Sequence, residues 1–172
     1  MSSSPTTAPA CRIEIAPTAA GFVVRVAGRG TARESRVVRD AATRALQSTP
    51  PAEVAISLLD CEYLDSTFLG CLLQMHRIAA AAAGAQFYVA IPTDRRAKLF
   101  GSMRLDRVVR CVEAPPAACG PSLEMRAPPV EGHAEESARH VMECHRQLAA
   151  LDTPMRAIFA RIADEIEHEL KK

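Results

Sequence analysis

The side chains best placed to do chemistry sit in one short turn, Asp65-Ser66-Thr67-Phe68-Leu69-Gly70. The turn follows the apolar run Val54-Ala55-Ile56-Ser57-Leu58-Leu59 and opens a longer segment with helical spacing. A hydroxyl is thereby set where a strand hands over to a helix, exposed and next to the positive end of the helix dipole. The chemistry that suits such a place is gain of a phosphate. That group adds close to two negative charges, yet a helix N-terminus favours anions by roughly 0.3 to 1 kcal/mol. Modification of Ser66 should therefore leave the fold standing and change what a partner meets. The plainer reading of Ser66 is an N-cap worth about 1 kcal/mol to the helix. Gly70 costs about 1 kcal/mol relative to alanine inside a helix. It reads either as a site of close approach by another backbone or as internal helix-on-sheet packing. Phe68 reads either as a docking aromatic or as a core residue.

Other constellations carry less. His140 and Cys144 lie four apart with His145 adjacent, a spacing that can present two metal ligands on one helix face, but no second pair completes a site. Gly28-x-Gly30 lacks the third glycine of a dinucleotide loop, and no G-x-x-x-x-G-K-[ST] motif occurs. Ser66 has no G-x-S-x-G setting and no histidine clearly assigned as its base, which argues against hydrolase chemistry. No catalytic residue, cofactor or metal is expected.

Of 172 residues, 48% are hydrophobic and 24% charged, the balance of a globular chain that can bury one good core with room for an appendage. With 21 basic and 20 acidic residues the formal net charge is +1, so no global field recruits nucleic acid, and no basic cluster interleaved with aromatics appears. The six cysteines (Cys11, Cys61, Cys71, Cys111, Cys119, Cys144) form no C-x-x-C pair. The start of the chain has neither the basic residues nor the apolar core of a signal peptide, and the alanine run from Ala79 to Ala83 is far too short to span a bilayer. The expected setting is a reducing cytoplasm with free thiols.

The elements that must position the turn can be read in order. A Ser/Thr/Pro leader occupies 1–10, and strands follow at Cys11 to Ala16 and at Phe22 to Ala27, pairing as a hairpin. A helix begins near Ala32 or Arg33 and is stopped by Pro50-Pro51. The apolar strand from Glu53 to Leu59 is central, covered on both faces. The helix opened by Asp65-Ser66 runs to the alanine stretch, where Gly84 can cap it. Gln86 to Ile91 is another strand, a short helix N-capped by Thr93 or Asp94 ends at Gly101, and Val108 to Val112 is a last strand. The expected order is β-β-α-β-α-β-α-β, an α/β fold with a mixed sheet. Residues 114–132 hold five of the twelve prolines and read as a linker. In 133–172 a helix over Ala134 to Leu151 is followed by the start signal Asp152-Thr153-Pro154 and a stripe of Met155, Ile158, Phe159, Ile162, Ile166 and Leu170.

Residues 11–113 resemble a STAS domain, the anti-sigma factor antagonist fold, whose bacterial members often carry Asp-Ser-Ser-Gly-Leu-Gly at this turn. The resemblance rests on Leu64-Asp65-Ser66-Thr67-Phe68-Leu69-Gly70, on the central strand before it, and on the spacing to Gly84, Phe87-Tyr88-Val89 and Arg96-Ala97-Lys98-Leu99-Phe100. It implies a STAS-like sheet with a C-terminal helical extension. It also implies a non-enzymatic anti-sigma factor antagonist. Such a protein is phosphorylated on the serine after the aspartate, here Ser66, by a partner that is both anti-sigma factor and serine kinase, and restored by a PP2C-type phosphatase. By the same resemblance Asp65, Ser66, Thr67, Phe68, Gly70, Arg29 and Thr31 contact the partner, and Thr31 is a second phosphorylation candidate. Phe68 stands where the family commonly has glycine. Gly28-Arg29-Gly30-Thr31 replaces the frequent Gly-Glu-Leu-Asp, which suits a differently charged partner. The alternative is an assembly subunit of a signalling or lipid-transport complex without phospho-switching, in which Ser66 only caps its helix. The C-terminal stripe must bury itself in a homodimer, on the chain's own core or against a dedicated partner.

Overall fold

The computed structural model describes residues 10–127, 129 and 131–172; the leader assigned to 1–10 lies, apart from Ala10, outside them. Strand β1 (Arg12–Pro17) and strand β2 (Gly21–Gly30) form the expected antiparallel hairpin, with Ile15 opposite Val24. Helix α1 (Ala32–Leu46) leads to β3 (Glu53–Ser57), which pairs parallel with β2. A short strand, β4 (Cys61–Leu64), comes next, then helix α2 (Ser66–Ala81), β5 (Gln86–Ala90) and α3 (Thr93–Phe100). Two 3-10 turns, Gly101–Met103 and Leu105–Arg107, precede β6 (Cys111–Val112) and β7 (Leu123–Met125), and helices α4 (Ala134–Ala149) and α5 (Arg156–Leu170) complete the chain. The mixed sheet runs β6-β5-β3-β2-β1-β7, with β4 attached to the far end of β2.

Alternation along the strands divides the core, as a two-residue period requires. Val24, Val26, Val54, Ile56, Phe87 and Val89 point to the large cluster under α1 and α2, while Val23, Ala55 and Tyr88 form a smaller cluster with Ala16 on the opposite face. The central strand β3 is thus buried on both sides, as its unbroken apolar run implies. The hairpin of α4 and α5 adds a further layer outside α2. Cys144, Leu148 and Phe159 join the same large cluster.

Five local expectations are corrected. The chain between β3 and α2 is not a simple turn: β4 intervenes, paired parallel with β2 across a register shift at Gly28/Arg29. Gly28 has φ +78, a conformation only glycine adopts cheaply, so one long strand bends to serve β3 and then β4. The strand expected at Val108 to Val112 shrinks to two residues. Leu105 and Val109 are held in the core by a 3-10 turn, and Val108 is left exposed. The Pro-rich linker carries β7, which pairs antiparallel with β1. Helix α5 starts two residues after Pro154, because Thr153 and Pro154 are spent on a turn in which the Arg156 N–H donates to the Thr153 carbonyl. The end of α2 also differs in detail: it stops at Ala81, and Gly84, at φ +82, closes the turn that follows. No described helix is long and apolar enough to cross a membrane.

Candidate functional site

Strand β4 ends at Leu64 and the backbone reverses at Asp65, in extended conformation with φ −80 and ψ 171. Asp65, not Ser66, is the N-cap. One of its carboxylate oxygens accepts from the Phe68 N–H at 2.8 Å, and the other accepts from the Ala32 N–H at 2.8 Å. One side chain therefore satisfies otherwise unpaired donors at the starts of both α2 and α1. Its own N–H donates to the Gly30 carbonyl, which ties the turn to the end of β2.

Thr31 caps α1 next door. Its N–H and its hydroxyl both donate to the Glu34 carboxylate, at 3.1 and 2.6 Å. A phosphate on Thr31 would face that carboxylate at close range. Arg29 is exposed and lies over the Tyr63 ring, 4.2 Å from its centroid. Of the residues expected to meet a partner, Arg29 is thus on the surface, while Thr67 is 4% and Phe68 0% exposed. Phe68 is a core residue, and the docking-aromatic expectation does not survive. The reason is that the third residue of α2 turns toward the end of β2, where the Phe68 ring lies against Gly30 within the large cluster. Gly70 is likewise buried.

Ser66 is the first helical residue of α2, half-buried rather than freely exposed. Its hydroxyl is hydrogen-bonded to His145 Nε2 of α4 at 2.8 Å. His145 is 6% exposed, its ring stacks on Phe159 of α5 at 5.4 Å between centroids, and its Nδ1 is buried without a partner. Burial lowers its proton affinity below the usual histidine range, with the nearby Asp65 carboxylate opposing. The ring is neutral at pH 7 and Ser66 is its single polar partner among the described residues. Beside the hydroxyl lies a cleft of about 230 Å³ lined by Tyr63, Leu69, Leu99, Met155 and Phe159, with Lys98 exposed at its edge.

The reason α4 can come this close is Gly70. A Cβ there would lie 2.7 Å from the Cys144 carbonyl carbon and 2.8 Å from Cys144 Cβ, with the carbonyl oxygen closer still. Of the two readings of Gly70, approach by another backbone is the one observed, and the backbone is the chain's own. Farther along α4, His140 is 1% exposed and both ring nitrogens are engaged: the Arg39 guanidinium donates to Nδ1 at 2.8 Å, so Nε2–H donates to Ser35 Oγ at 2.8 Å. The Ser35 hydroxyl donates in turn to the Ala32 carbonyl at 2.9 Å. The Cys144 thiol lies 3.7 Å from His140 Nδ1, so the two share a face as their spacing implies, but neither ring nitrogen is free to ligate. Burial pushes that thiol up to about 12. The pairs Arg36–Glu136 and Arg39–Glu143 join α1 to α4 at the rim.

The sequence reading did not assign His145, Tyr63 or Lys98 to the site. A signal for His145 existed. Helix α2 is apolar nearly all round, from Phe68 through Cys71, Leu72, Leu73 and Met75, and such a helix needs a cover on its outer side too.

A family model described as "Mlab, STAS domain" matches residues 13–110. No match is found among curated proteins. The family match stops before β6, β7 and the helical hairpin, so His145 and everything else that closes over Ser66 lies outside it. The matched region is more than half of the chain and holds the sheet from β1 to β5, both helices beneath the hairpin, and the Asp65-Ser66 turn: this chain belongs to the STAS domain family.

Proposed function

We propose that this STAS protein is an anti-sigma factor antagonist-like regulator, a phosphorylation-switched binding partner of an anti-sigma factor that is also a serine kinase. Ser66 is the modified residue, a PP2C-type phosphatase reverses the change, and the protein itself catalyses nothing. The setting is the cytoplasm. The observation that carries this reading is the position of the Ser66 hydroxyl: first residue of α2, at the mouth of a cleft, bonded to a group that a phosphate would displace. Helix α2 tolerates the added charge, because its N-terminus favours anions. The docked surface does not, because 2.8 Å between Oγ and Nε2 leaves no room for a phosphoryl group. The exposed Arg29–Tyr63 stack beside the cleft supplies the residue types that anchor interfaces and suits an acidic partner surface.

The test is to incubate native protein and Ser66→Ala with ATP and an extract of the source cell, then read intact mass. A gain of one phosphate in the native protein, absent in Ser66→Ala, is the expected result. A second reading, a STAS assembly subunit of a signalling or lipid-transport complex without phospho-switching, is favoured by the hydroxyl's engagement with a buried histidine. It predicts no mass gain, and equal recovery of the same co-purifying partner by native protein and Ser66→Ala.

A further inference from the structure

Resting on the reading of Ser66 as the modified residue, we propose that its phosphorylation is read first inside the molecule: the α4–α5 hairpin is a separable cover over the Ser66 cleft, and a phosphate on Ser66 releases its C-terminal part. Three features make the cover separable at this end. His145 has no polar contact among the described residues except the Ser66 hydroxyl, and its Nδ1 is already unpaired. Esterification puts a phosphoryl group with close to two negative charges where the ring sits, 2.8 Å from Oγ, so the ring cannot keep its buried place. Second, α5 packs chiefly on α4, and its Phe159 meets the core with its ring stacked on His145. Once the ring leaves, Phe159 and Met155 lose their seat over the cleft. Third, α4 is anchored to α1 ahead of His145, by His140 on Ser35 and by Glu136 and Glu143 on Arg36 and Arg39. The opening is therefore local. It pivots on this anchored stretch, breaks the Arg77–Gln147 hydrogen bond between α2 and α4, and bares Leu69, Leu99 and Phe100 around the modified residue.

In the unmodified protein the hairpin covers the face of α2 that carries Gly70. Gly70 admits one backbone at the Cys144 contact, and α4 fills that place.

The experiment is amide hydrogen exchange read by mass spectrometry on the full chain, comparing native protein, Ser66→Glu, Ser66→Ala and His145→Ala. Ser66→Glu and His145→Ala are each expected to raise exchange at least tenfold in residues 145–163, with β3, β5 and the first turns of α4 as protected as in the native protein. Ser66→Ala, which removes the bond without adding bulk or charge, is expected to change exchange far less than Ser66→Glu. Unchanged protection of 145–163 in Ser66→Glu would overturn the proposal. So would loss of protection spreading to β3 and β5 in both Ser66→Glu and His145→Ala, because the hairpin would then be inseparable from the core. No kinase enters this measurement, so its failure is distinct from a failure to find Ser66 modified in extract.

Discussion

At Gly70 two opposing effects differ in size. Alanine in a helix interior gains about 1 kcal/mol over glycine. The added methyl, however, meets Cys144 backbone and Cβ at 2.7 and 2.8 Å, and overpacking of this kind costs about 1 to 3 kcal/mol. Gly70→Ala is therefore expected to lower the stability of the full chain in urea unfolding despite better propensity. A gain in stability would mean that α4 does not lie against α2. Ser35→Ala probes the other end of α4. It leaves the His140 Nε2–H without an acceptor in a site 1% exposed, and an unpaired buried donor costs about 1 to 3 kcal/mol. A midpoint unchanged from the native protein would contradict the Ser35–His140 bond. Asp65 shows a capping role displaced by one residue: the sequence reads Ser66 as the N-cap, and Asp65 takes it. That its second oxygen serves Ala32, 33 positions away, depends on β2 and β4 ending side by side.

Helix α4 carries two buried histidines, and their titration gives its docking a pH dependence. His140 is lowered to about 4, first by burial, then by Arg39 and Arg36, with Asp40 opposing; His145 is lowered by burial with Asp65 opposing. Below the ordinary histidine value the unfolded chain takes up protons that the folded one refuses, so stability falls with falling pH. The loss begins near 6.5 and levels off near 4 for His140. At about 1.4 kcal/mol per unit it amounts to at most about 3 kcal/mol from that residue. Urea midpoints taken between pH 7.5 and 4.5 should fall, and His140→Gln should flatten the slope. A pH-independent midpoint would show the rings to be solvated. At this scale most elements were legible beforehand: α1, α2, β3 and β5 follow from apolar period and capping residues, whereas α3 begins at Thr93 itself, with Pro92 in the cap position and the Thr93 hydroxyl on Glu113. Strands β4 and β7 were not, because four and three residues in length carry too little periodic signal. Pairing with β2 and β1 makes them strands.

The whole chain is a sheet, a helical layer on it, and a hairpin closing over that layer, with the linker returning along the sheet edge as β7 before α4 begins. This arrangement ranks the thiols. Cys119 is exposed, whereas Cys61, Cys71 and Cys144 are buried and burial raises all three. A thiolate is the reactive form, so Cys119 is expected to take the first adduct when native protein meets iodoacetamide at pH 7.5, read by intact mass with peptide mapping. Early modification of Cys144 would mean that the hairpin is open in the resting protein. Residue types and their order were enough to determine the α/β class, the STAS resemblance, the Asp65-Ser66 turn and an apolar stripe in need of burial. Propensity, capping and period are local properties, and a local window contains them. Where parts of that stripe lie shows only in three dimensions, because apolar attraction has no direction of its own. Met155, Phe159 and Ile162 pack on the large core cluster while Ile158 stays exposed. Close fit places the hairpin beside Ser66: a helix without a side chain at Gly70, a histidine reaching a serine 79 positions earlier, and a phenylalanine stacked behind it.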